Sequence, residues 1–81
     1  MIFPVQIRAA RVLIGMSQVE LAERASISVA TVKRIEAARA ELSGTISTIA
    51  SIQRALEEAG VIFIDQDQRS GPGVRLLKRL P

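Results

Sequence analysis

A run of twenty residues, SQVELAERASISVATVKRIE from Ser17 to Glu36, limits what this chain can become more than any other stretch. Ser17 with Glu20 three residues later is the reciprocal capping arrangement that satisfies orphan amides at a helix start, so a helix is predicted from Gln18. Leu21, Ala22 and Ala25 form a narrow apolar stripe on it that has to be buried against a neighbour. Ser26 and Ile27 leave room only for a tight turn before Ser28, which can cap a second helix with Val32 and Ile35 pointing inward. Two short helices are therefore expected to meet at a sharp corner.

The outward face of the second helix pairs Val29 with Lys33 and Ala30 with Arg34, each four residues apart. Small side chains come first and cations second, an order that suits a helix entering the DNA major groove by its N-terminus. Val29 and Ala30 permit close approach and can meet a thymine methyl, while Lys33 and Arg34 can reach guanine edges or phosphates. The plainer alternative is the solvated side of a core helix.

At these residues the sequence resembles the lambda-repressor-like (Cro/CI, or XRE) helix-turn-helix family. The resemblance runs from about Ile7 to Gly60 and rests on IRAAR, SQVELAERA, SVATVKRIE and ALEEAG. It implies a mainly α fold: a four-helix domain over residues 1–60, followed here by a β-hairpin extension over 61–81. It places Val29, Ala30, Thr31, Lys33 and Arg34 at recognition-helix positions, within a recognition helix near 28–36. Phosphate contacts fall to Gln18 at the start of its helix, with Ser17, Ser28, Arg8 and Arg39 as further candidates. It also implies an internal ion pair between Arg11 and Glu36, which takes both out of any binding surface. Two residues depart from the family pattern. Ser26 stands where glycine is usual, which asks a residue with a Cβ to adopt a turn conformation at a cost of about 1 kcal/mol. Ala38 replaces a second customary glycine and leaves the path of the following loop open.

Composition narrows the function classes. The 81 residues have room for one small domain with a modest core, and 48% are hydrophobic with only Phe3 and Phe63 aromatic, so Ile, Leu, Val and Ala must fill it. Without cysteine or histidine the chain has no disulfide, no thiol chemistry, no zinc finger and no histidine-dependent mechanism, and no enzyme or metal site is expected. The net charge of +3 is uneven: residues 1–39 carry six cations and three anions, the remainder five of each. The excess lies in the segment with the helix-turn-helix pattern, as an electrostatic footprint for a polyanion requires. Neither a signal peptide nor an apolar run approaching a membrane span of about twenty residues is visible, so a cytoplasmic protein with no membrane partner is expected.

Elsewhere, Ile7, Ala10 and Ile14 predict a helix over 6–14, with Pro4 suited to its first turn and Gly15 ending it. Residues 37–44 read as a loop. Ile46, Ile49, Ile52, Leu56 and Ala59 predict a core helix over 45–59, stopped by Gly60. Glu57 and Glu58 diverge by about 100 degrees on that helix and cannot act on one substrate atom. VIFI, residues 61–64, reads as a strand covered on both faces, and VRLLKRL, residues 74–80, as the returning strand. Asp65 and Asp67 supply too few oxygens for a cation, and Ser70–Gly73 lacks the lysine of a phosphate loop, so this connection is a turn.

A hairpin apolar on both faces needs a cover. The helices can shield one side, and the same hairpin of a second subunit can shield the other through Val61, Ile62, Phe63, Ile64, Val74, Leu76 and Leu77. These readings predict a DNA-binding regulator with no cofactor, binding a palindromic site on double-stranded DNA as a homodimer. The alternative is an antitoxin-like interaction module whose hairpin holds a partner protein.

Overall fold

The structure, a computed structural model, describes residues 2–38 and 46–81. Helix α1 runs Pro4–Ile14, two residues earlier than the apolar spacing predicts, because Pro4 occupies its first turn and Phe3 N–H donates to Gln6 Oε1 at 2.7 Å. Gly15 closes it in the left-handed conformation at φ 69. Helix α2, Gln18–Ala25, starts where Ser17 Oγ accepts from Glu20 N–H at 3.0 Å. Only that half of the predicted reciprocal cap forms. The Glu20 carboxylate is paired instead with Arg24, one turn on, at 3.1 Å.

Helix α3, Val29–Ala37, is separated from α2 by three residues. Ser26 makes the corner at φ 58, the positive-φ position at which the family pattern has glycine. Ala38, by contrast, sits in extended backbone at φ −66, so the loss of a glycine there demands no strained conformation. Helix α4 spans Ile46–Glu58. Ile46, predicted to face inward, is 77% exposed. The partner α2 has eight residues, about 12 Å, against about 20 Å for α4, and cannot cover its whole length.

The core sits where the four helices meet. Ile7, Leu21, Val32, Ile35, Ile52 and Leu56 are fully buried, and the small Ala22 and Ala25 let α2 pack on both α3 and α4. Strands β1 (Val61–Ile64) and β2 (Gly73–Leu76) form an antiparallel hairpin that packs on α1 and α4, with Val61 opposite Leu76 and Ile64 opposite Gly73. β2 stops well short of Leu80. Leu76 already faces the first residue of β1, Gly60 bends the chain away at φ 102, and only one further bond forms, from Leu77 N–H to the Gly60 carbonyl at 2.8 Å. In the connecting turn Asp67 Oδ1 accepts from the amides of Arg69 and Ser70, both at 2.8 Å, and these bonds hold its carboxyl below the usual carboxylate range.

Alternation along the hairpin divides its side chains. Val61 is buried, and Phe63 and Val74 pack against the core, which corrects the assignment of these three to a face between subunits. They are held by the chain's own helices. Ile62 and Ile64 point the other way and are 37% and 42% exposed, so the chain's own helices cover one face of the strand and leave the other open.

The backbone at Ser26 offers a direct check. Ser26→Gly is expected to stabilise the fold by about 0.5–1 kcal/mol, seen as a rise of about 2–8 °C in Tm. A lower Tm would show that the corner stores no strain.

Candidate nucleic-acid interface

Helix α3 packs against α2 and α1, and its own first turn is tightly capped. Ser28 Oγ accepts from Thr31 N–H at 3.1 Å and lies 2.8 Å from Thr31 Oγ1. One side of the helix, Val32, Ile35 and Glu36, is buried. The opposite side is a stripe of Ala30, Lys33, Arg34 and Ala37, all exposed and spaced by three, one and three. Among the described residues neither Lys33 nor Arg34 has an ion-pair partner; the pairs there are Arg11 with Glu36 and Arg24 with Glu20. Val29 is half-buried and packs against the core, so it borders the stripe and does not lie in it. Thr31 is also half-buried.

What fixes the stripe in place is Glu36. Its side chain is only 3% exposed, and Arg11 from α1 meets it with two charge-assisted bonds, Nε to Oε2 at 2.6 Å and Nη2 to Oε1 at 2.8 Å. Arg11 Nη1 donates at 2.9 Å to the Met16 carbonyl, which ties the bend after α1 to the same cluster. The hydrogen bond to Glu36 is the main reason that the Arg11 guanidinium binds its proton more tightly than usual; burial opposes it and the Glu36 charge adds to it. A cation whose affinity for its proton rises on folding contributes its full stability below its ordinary, strongly alkaline range. The pair therefore stays intact throughout the neutral range.

Two phosphate candidates are drawn into this cluster. Gln18, half-buried, donates from Nε2 to Glu36 Oε1 at 3.1 Å, so its amide points inward from the start of α2. Arg8 is exposed, but its Nη1 donates to the Glu36 backbone carbonyl. There it caps an orphan acceptor at the C-terminal end of α3, where a cation also suits the helix dipole. A phosphate would have to be met by its other N–H groups. Ser17 is exposed with its hydroxyl engaged in the cap of α2, and Ser28 likewise in that of α3. Arg39 lies outside the described residues.

Two residues that matter here escape the sequence reading. Ala37 completes the outward stripe seven residues after Ala30; its spacing gives it away, but assigning 37–44 to a loop hides it. Gln6 is 3% exposed and bonds to three backbone groups, and its position four residues before the buried Ala10 is the only hint.

Removing one member of a buried pair strands the other. Arg11→Ala should cost about 3–5 kcal/mol in denaturant unfolding, and replacing both partners by apolar residues of similar volume should recover much of it. An unchanged midpoint for Arg11→Ala would show that Glu36 is satisfied without it.

The comparisons agree with this geometry. A family model described as helix-turn-helix matches residues 7–57, more than half of the chain and all of α2 and α3. A search of curated proteins finds no match. No described helix is long and apolar enough to cross a membrane. With its capped α2, its tight corner and the exposed stripe of α3 inside the matched segment, the chain belongs to the Cro/CI (XRE)-type helix-turn-helix family of DNA-binding regulators.

Proposed function

We propose that this chain reads a palindromic site on double-stranded DNA as a homodimer, with α3 of each subunit in successive major grooves about 34 Å apart. The observation that carries the reading is the stripe of Ala30, Lys33, Arg34 and Ala37, which faces solvent on a helix otherwise locked in place. Ala30 allows the helix to approach a thymine methyl, Lys33 and Arg34 reach guanine edges, and Val29 and Thr31 line the margin. Ser17, Gln18, Ser28 and the spare N–H groups of Arg8 are assigned to phosphates, which fix register without reading bases. Arg39 keeps its place as a further phosphate candidate.

Dimerisation is assigned to the hairpin, residues 61–81. Its outer groove is lined by Ile62, Ile64 and the run from Arg75 to Arg79, and Leu77 is 66% exposed. That much apolar surface on a two-stranded sheet supports a second copy as its cover. Leu76 is the half-buried member of that run. Glu57 and Glu58 line the adjoining cleft with Lys78 and Arg79, so a two-fold contact can set the acids of one subunit against the bases of the other. Arg75, Lys78 and Arg79 favour one other occupant, an acidic partner protein, in which case the hairpin serves an antitoxin-like role.

Selection of bound fragments from random DNA tests the proposal, and a palindromic consensus is the expected result; a sequence-independent pool would overturn it. Arg34→Ala is expected to cost about 1–3 kcal/mol and to relax preference at one base pair per half-site. Equal loss on every sequence would reduce Arg34 to a phosphate contact. Ile62→Asp should convert the protein to a monomer by sedimentation while leaving half-site binding in place. A wild-type protein that is already monomeric would favour the partner-protein reading.

A further inference from the structure

The hairpin rests on the helices mainly through apolar contacts, which resist separation but are non-directional and tolerate rocking. One directional fastening is superimposed on them. The Gln6 amide is buried, with both donors and its oxygen engaged: Oε1 accepts from Phe3 N–H at 2.7 Å, and Nε2 donates to the Ile64 carbonyl at 3.1 Å and to the Gly73 carbonyl at 3.0 Å. Ile64 and Gly73 are the last paired residues of the hairpin. A single side chain thus joins the start of α1 to the end of β1 and the start of β2. The same helix, two and five residues further on, presents Arg8 and Arg11 to Glu36 of α3. A short path of directional bonds therefore runs from the hairpin through about 7.5 Å of α1 to the recognition helix.

We infer that Gln6 is a positioning residue for operator binding: it fixes the angle between the dimerising hairpin and α3, and so sets which half-site spacing the dimer accepts. The inference rests on the homodimer reading above. One base pair of spacing moves a half-site by about 3.4 Å and turns it by about 35 degrees, a change that a rigid dimer cannot follow and a rocking one can.

The test compares wild type with Gln6→Met, which keeps the length of the side chain and removes both its donor and its acceptor. Affinity is measured for a single half-site and for palindromes whose spacing changes in one-base-pair steps, with the mass of each protein read by sedimentation. Wild type is expected to lose about a hundredfold, its avidity gain, one base pair from its best spacing. A dimeric Gln6→Met is expected to keep its half-site affinity and to lose less than about tenfold for the same step. A dimeric Gln6→Met with the wild-type spacing profile overturns the inference, since apolar packing alone would then hold the angle. Wild type that binds no palindrome more tightly than a half-site overturns the dimer reading, and this inference with it, by a different result. Should Gln6→Met fail to fold, hydrogen exchange of the Gln6 side-chain amide in the wild-type protein decides. Protection matching that of the strand amides supports the clamp, and exchange at the rate of a free amide overturns it.

Discussion

A carboxylate almost wholly removed from water must be paired or the fold loses several kcal/mol, and in this protein that carboxylate belongs to the helix assigned to DNA recognition. Glu36 draws Arg11 from α1, Gln18 from α2 and, on its backbone carbonyl, Arg8. Two helices thus converge on one residue near the C-terminal end of α3. Apolar packing of Val32 and Ile35 buries the helix, but the directional bonds to Glu36 set its rotation. Rotation decides which residues face outward: a turn of about 100 degrees would exchange Arg34 for Ile35.

The cost of this arrangement is paid near the surface. The corner at Ser26 holds a side chain in left-handed backbone so that α3 can follow α2 after three residues. Caps on Ser17 and Ser28 satisfy one amide in the first turn of each helix, those of Glu20 and Thr31, and both helix starts lie where phosphates are proposed to sit. The cations held by carboxylates differ from those proposed to read bases. Arg11 is committed to Glu36 and Arg24 to Glu20, whereas Lys33 and Arg34 have no acidic partner among the described residues.

Much of this was legible from local chemistry. Serine caps, the glycine that ends α1 and the apolar stripes of α2 and α4 are set by neighbours within a turn, which is the range over which sequence spacing carries information. Contacts across the fold were not. Arg11 and Glu36 are 25 positions apart, and only the family resemblance joined them. No spacing rule reveals that Gln6 meets residues 58 and 67 positions away. Val29 and Ala30 are equally placed by four-residue pairing, and the packing of Val29 against the core breaks the tie. In the hairpin, the seven-residue reading of β2 over VRLLKRL was too long because its length is limited by a four-residue partner strand, not by its own propensity.

The central claim, that a Glu36-anchored scaffold presents the Ala30, Lys33, Arg34 and Ala37 stripe to a duplex, is most directly tested by amide chemical shifts of the labelled protein titrated with double-stranded DNA. The account predicts that the largest changes fall on α3 and the N-terminal turn of α2, while the hairpin amides move little at constant oligomeric state. Changes concentrated on the hairpin or on α4, with the stripe unaffected, would contradict it.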